Sequence, residues 1–286
     1  MSEWVEHFSY PFNQRALLAA VLIGAVNGYF SGYVVLRKTA LFTGALSHSL
    51  LPGTAVGFIL FGISAFSAFS GALMVSLLIG LCAIAISRGS RVDKDAALPI
   101  LCTSAFAIGL LILDHIKVNI ELEGFLFGNI LFLSDSDLWY AYLVGFSVLV
   151  LLVVFQRPIL LFIFEPNVAQ AQGIPVRCLS YGLITLLIMT LITSLQAVGV
   201  ILALGLLVAP GATVYLFVDS PRALLWGGAL LGVATTSSGL LLSLVLDERS
   251  GAVIVLLAGL VFLTCFFFSP RYGLLRQWLR ARHADH

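Results

Sequence analysis

Apolar stretches of about twenty residues follow one another from residue 15 to residue 268 of this 286-residue chain, with only short polar interruptions. A helix of that length rises about 30 Å, the thickness of a bilayer's hydrocarbon core, and in lipid all backbone polar groups must pair inside the segment. An all-α polytopic membrane protein is therefore expected. Only 10% of the residues are charged, against about 25% in a soluble domain, too few to cover a globule. The alternating ten-residue segments of a transmembrane β-barrel are absent.

The hydropathy pattern divides 1–286 into one transmembrane domain with spans near 15–36, 40–61, 64–87, 96–113, 138–156, 223–246 and 251–268. The apolar stretch 178–218 is twice too long for one crossing, and its two halves divide near Ser194-Leu195-Gln196. A re-entrant piece there lowers the count, so eight to nine crossings are expected. Residues 1–14 read as an interfacial segment carrying Trp4, Phe8, Tyr10 and Phe12, and no signal peptide is apparent. Arg37-Lys38, the loop with Arg88, Arg91 and Lys94, the segment 157–177 and the tail 271–286 share one side, with acid-rich 118–136 and Asp247-Glu248 on the other. The positive-inside rule puts the basic side, including the tail, in the cytoplasm and the N-terminus outside.

Several chemistries are excluded. No nucleotide-binding loop, His-Glu-x-x-His helix, intramembrane aspartate pair or serine elbow is present, so intramembrane hydrolysis fails and energy must come from a partner or an ion gradient. Nothing suggests a nucleic-acid partner. Cys82, Cys102, Cys178 and Cys265 lack metal-ligand spacing and read as packing residues.

The second span holds the one histidine that lies well inside an apolar segment, His48, four residues ahead of Pro52-Gly53. Proline removes a helical N–H and clashes with the preceding turn, so an interruption at Pro52-Gly53 is expected. Thr39, Thr43 and Ser47 form an i, i+4, i+8 stripe beside His48. Two readings of His48 stand: a hydrogen bond to a neighbouring helix, or a nitrogen ligand lining a path for a transition metal. The pair Leu51-Pro52-Gly53-Thr54 and Ala209-Pro210-Gly211-Ala212 hints at an inverted repeat. Asp114 and His115, at the outer end of the fourth span, are either vestibule residues or solvated loop charges. Asn27 and Gln196 read as packing amides, and Gly24, Gly28 and Gly32 as a close-approach stripe.

On the inner face, Phe164 to Pro175 carries a run of small and polar residues between Pro166 and Gly173, one or two turns of exposed helix. It is either a linker or a docking element for a soluble partner.

Together these pieces resemble the membrane permease of ABC importers for manganese, zinc and iron. The resemblance rests on Ala45-Leu46-Ser47-His48 with Leu51-Pro52-Gly53, Leu126 to Leu131, the 165–175 segment, Ser194 to Val200, Leu207 to Thr213, Ser250-Gly251-Ala252 and Phe268 to Arg271, in order over about 15–275. It implies a type II ABC importer-like permease of a bacterial cytoplasmic (inner) membrane, and hence no enzyme. Two copies would surround a central path, each on an ATP-hydrolysing subunit, and an extracytoplasmic binding protein would deliver the metal. ATP and Mg would be used by the partner, with no cofactor bound by this chain. The implied path residues are His48, a transient metal ligand, with Ser47, Thr43 and Pro52. The implied coupling residues are Glu165, Pro166, Ala169, Gln170 and Gly173. Where the family commonly has Gly-Asp-Ala ahead of Ser-His, this chain reads Thr43-Gly44-Ala45, so the carboxylate one turn before His48 is missing. That departure motivates an alternative cargo, a chelated metal or small organic ligand. A non-transporting scaffold or gradient-driven carrier is the reading from another class.

Overall fold

A computed structural model of the chain describes residues 11–62, 64–116 and 135–269. Among the described residues there are twelve helices and no strand: α1 (Pro11–Arg37), α2 (Ala40–Ser47), α3 (Leu50–Phe61), α4 (Ala65–Gly89), α5 (Lys94–Ile116), α6 (Asp135–Val154), α7 (Gln156–Phe164), α8 (Pro166–Ala171), α9 (Val176–Val198), α10 (Val200–Tyr215), α11 (Pro221–Leu246) and α12 (Ser250–Phe268). Residues 118–134 of the expected polar loop, most of the interfacial segment 1–14 and the tail 271–286 lie outside the described residues, and Asp135 and Ser136 open α6.

Among the described residues six helical segments are long and apolar enough to cross a membrane: Gln14–Arg37, Ala40–Phe61, Phe66–Ser87, Val176–Leu195, Pro221–Leu246 and Ser250–Phe268. A seventh forms if Trp139–Val154 and Gln156–Phe164, bent by 64°, are one span. This is fewer than the eight to nine expected. The shortfall falls on the fourth and seventh expected spans, whose apolar parts are the shorter Ala96–Ile112 and Ala203–Tyr215. Lys94, Asp95 and Asp114 curtail the first. The second is curtailed because the stretch 178–218 divides at Gly199 (φ 84°), which ends α9 and starts α10, later than Ser194-Leu195-Gln196. Only glycine takes that backbone region freely.

The second span is interrupted, but not at Pro52-Gly53. The break lies at His48-Ser49, between α2 and α3. There the i→i−4 ladder gives way to tighter bonds, His48 N–H to the Ala45 carbonyl (3.1 Å) and Ser49 N–H to the Leu46 carbonyl (3.0 Å). The first turn of a helix needs no N–H from its third residue, so restarting at Leu50 accommodates Pro52 without a lost bond or a clash. The proline marks the restart, not the stop. Pro158 and Pro166 likewise lie in the first turns of α7 and α8, and Pro175 caps α9.

Helix α1 is the hub: the greater part of its span is buried, whereas most of Ser250–Phe268 is not. Its most extensive contact is with α11. The stripe Gly24, Gly28, Gly32 makes that contact possible. A Cβ on Gly28 would strike the Gly228 carbonyl, one on Gly24 the Gly232 carbonyl, and one on Gly32 the Leu225 side chain. Without a hydrophobic force between helices in lipid, close backbone approach is what holds them together. A second glycine seam joins α3 to α4 through Gly53, Gly57 and Gly71. Polar interlocks add direction. Asn27 Nδ2 donates to Ser194 Oγ (2.7 Å) and to the Ile23 carbonyl (2.8 Å), tying α1 to α9. Asn27 is thus a packing amide, as its sequence setting indicates. The side chain of Gln196 is outside the described residues.

Candidate functional site

The break in the second span fixes the site. Ser49 follows it and is fully buried, its hydroxyl donating to the Leu46 carbonyl (2.6 Å) and to Ser76 Oγ (2.7 Å) of α4. Pro52 is buried against α5, where a Cβ on Gly109 would collide with its ring. The turn between α2 and α3 is therefore clamped on two sides. A clamped turn presents the residue at its tip reproducibly, and that residue is His48.

His48 is exposed, and its contact is an edge-on approach to the Phe106 ring of α5 (6.2 Å between centroids, 85°). Among the described residues its imidazole makes no hydrogen bond, so both ring nitrogens are uncommitted. A strongly held metal-ligating histidine is usually oriented by a second hydrogen bond from its other nitrogen. Without one, His48 is suited to brief contact with a soft cation. The reading of His48 as an interhelical hydrogen-bond partner does not match this geometry.

The stripe beside His48 behaves differently. Successive helical residues are about 100° apart, so Ser47 faces away from the direction His48 takes. Thr43 and Ser47 are 0% and 3% exposed, and their hydroxyls donate to the Thr39 (2.9 Å) and Gly44 (2.7 Å) carbonyls. Within the single chain they and Pro52 are buried packing residues. Gly44, one turn before His48, is half-buried, and a Cβ there would lie 3.2 Å from a methyl of Leu204 on α10. The space a carboxylate at this position would enter is bounded by an apolar side chain. Leu204 and Phe106 are the site neighbours that sequence reasoning missed, since nothing in local spacing links residues so far apart in the chain.

Among the described residues no group of three or more His, Cys, Asp or Glu side chains is placed to hold a metal ion. The side chains of Asp114 and His115 are outside the described set.

The segment 165–175 forms a separate cluster. Helix α8 is a single short helix, entered by Pro166 at its first position and left through Gly173 (φ 78°). Glu165, Pro166, Gln170 and Gly173 are exposed, and so is Val168, a large apolar residue at 42%. Ala169 is 0% exposed, its carbonyl accepting from the Ile174 N–H (3.0 Å). It seats α8 on the protein, on the side turned away from the outward face.

The family model described as ABC 3 transport family matches residues 9–269. The chain is 38% identical over 277 residues to "Manganese transport system membrane protein MntC" of Halalkalibacterium halodurans, covering 96% of this chain and 94% of the relative. It is 35% identical over 268 residues to "Chelated iron transport system membrane protein YfeD" of Yersinia pestis, covering 92% and 88%. A solved structure, "PsaBC from Streptococcus pneumoniae in complex with Fab", contains a chain that matches with a TM-score of 0.86 and 32% identity, covering 96% of this chain and 99% of that one.

Proposed function

Since this chain belongs to the ABC 3 transport family, we propose that it is the membrane permease subunit of a bacterial ABC importer for a divalent transition-metal ion. Manganese is the first candidate and iron the second, because the relatives above are named for those metals; zinc ranks behind both. The chain lies in the cytoplasmic membrane and is not itself an enzyme; ATP and Mg are used by a separate ATPase.

The observation that carries this reading is His48: an uncommitted, exposed imidazole at the break of a membrane span. Polar groups inside membranes face a bundle interior or a water-filled cavity. A second copy of the chain, related by a two-fold axis, would bring two such imidazoles to one path. Neutral imidazoles without carboxylates favour passage over retention of a +2 ion. Counting the bent pair and the two shorter apolar helices beside the six long ones gives nine crossings, with N-terminus outside and tail inside. An extracytoplasmic binding protein would deliver the metal at the outer face. On the inner face, the exposed surface of α8 around Val168 and Gln170 is the proposed dock for the ATPase, through which ATP binding drives alternating access.

A specific observation favours a second cargo. Gly44 with Leu204 beside it makes the approach to His48 less anionic and more apolar, which suits a chelated metal, and the Yersinia pestis relative is named for chelated iron. Uptake by the permease reconstituted with its ATPase and binding protein, across Mn, Zn and Fe in bare and chelated form, decides between them. Transport of bare Mn supports the first reading. Transport of chelates alone supports the second, and ATP-independent behaviour with no stable ATPase complex would overturn both.

A further inference from the structure

A cavity of about 250 Å³ lies where the inner-face ends of α1, α2, α4 and α9 meet, and His48 is not among its lining residues. Arg37, the last residue of α1, lines it, and its guanidinium lies over the Phe162 ring of α7 (5.3 Å to the centroid). Among the described residues no carboxylate pairs with Arg37. A half-buried cation without a counter-charge is costly in a chain this apolar.

The hydroxyls around it point the same way. On these helices serine and threonine hydroxyls usually bond back to a carbonyl three or four residues earlier, as Thr43, Ser47, Thr185 and Thr190 do. The hydroxyls of three residues of the cavity, Thr39, Ser87 and Ser180, make no such bond, and none of the three hydroxyls has a hydrogen-bond partner among the described residues. One guanidinium with no carboxylate partner and three hydroxyls with no hydrogen-bond partner, all lining one cavity, match the donor needs of a phosphate.

We propose that this cavity is an anion site for a phosphate group, its occupant the headgroup of an anionic phospholipid of the inner leaflet. The lipid source is favoured by the adjoining surface. An apolar groove of about 680 Å³ runs along α6, α7 and α9 from Gly173 to Met189, and Leu183 lines both it and the cavity. A headgroup at Arg37 thus has a lipophilic channel next to it for an acyl chain. Through Phe162 the site also touches α7, the helix that leads into α8.

The test is native mass spectrometry of the full-length chain, purified in mild detergent and exposed to phosphatidylglycerol or to phosphatidylcholine. Wild type is expected to retain phosphatidylglycerol preferentially, and Arg37→Gln to lose that preference about fivefold, the worth of one basic residue at a lipid surface. Arg177→Gln, at an exposed arginine of the same face, should retain it. Thermal unfolding in inorganic phosphate separates the two sources. A phosphate-dependent rise in wild type that R37Q lacks, with equal lipid retention in both, assigns the site to soluble phosphate and overturns the lipid assignment. Equal retention and no phosphate effect overturn the site altogether. If R37Q does not survive purification, Ser87→Ala with Ser180→Ala removes two donors and keeps the charge; unchanged retention in that variant also overturns the proposal.

Discussion

Gly44→Asp is the most instructive single change, because it adds the carboxylate that His48 lacks. Residues four apart on a helix have Cβ atoms about 5–6 Å apart, so an aspartate at 44 and the imidazole at 48 can reach the same ion. A carboxylate 4 Å from a unit charge gains about 4 kcal/mol at an effective dielectric of 20, hence about 8 kcal/mol with a divalent ion. Taking the carboxylate out of water offsets several kcal/mol of this. Leu204 adds a steric cost, since its methyl lies 3.2 Å from the new Cβ and must give by a few tenths of an ångström. A net gain of about 2 kcal/mol remains, roughly thirtyfold in affinity. Adding Leu204→Ala removes the steric part and should increase the gain. Mn2+ titration of the purified permease by calorimetry reads the affinity, and proteoliposome uptake reads the consequence: a lower half-saturating concentration with a lower maximal rate, because a held ion leaves slowly. Unchanged Mn2+ affinity in the G44D/L204A double variant would refute the placement of position 44 beside the ion's route.

Further outcomes follow from the packing. Gly28→Val forces a side chain into the Gly228 backbone and should cost about 3 kcal/mol or more, read as a large loss of thermal stability in detergent; an unshifted melting curve contradicts the seam. Asn27→Ala leaves Ser194 without its amide partner and should cost about 0.6–2 kcal/mol in the same assay, the range for interhelical hydrogen bonds in membranes. On the inner face, Val168→Asp and Gln170→Ala should lower co-purification of the ATPase without altering permease stability, whereas Ala169→Leu, at a buried position, should lower stability first. If all three behave alike in both measurements, the assignment of faces on α8 is wrong.

Much of the architecture was legible in the sequence because its signals are local and periodic. Runs of apolar residues gave the helices, and the four-residue spacing of Gly24, Gly28 and Gly32 gave the α1 seam. The break was misplaced for a physical reason: proline disfavours a helix interior but suits a first turn, so Pro52 reports a restart and leaves the stop four residues earlier undetermined. The division of 178–218 shifted to Gly199 because positive φ, not polarity, decides it. Which side of α2 faces outward was not legible at all. In a membrane chain both sides of a helix are apolar, so the stripe Thr39, Thr43, Ser47 could not say that the Thr43 and Ser47 hydroxyls bond to their own backbone while His48, one residue on, is free. Leu204, Phe106 and the surroundings of Arg37 depend on tertiary contacts between distant spans, which no local pattern records.

The central claim is that the His48 imidazole touches the metal on its way through. It is tested most directly by initial rates of Mn2+ uptake into proteoliposomes containing the permease, its ATPase and its binding protein, with His48→Ala compared to wild type at matched ATPase content. Loss of a ligand should lower uptake about tenfold or more while assembly with the ATPase is preserved. Wild-type uptake by the alanine variant would contradict the role given to His48.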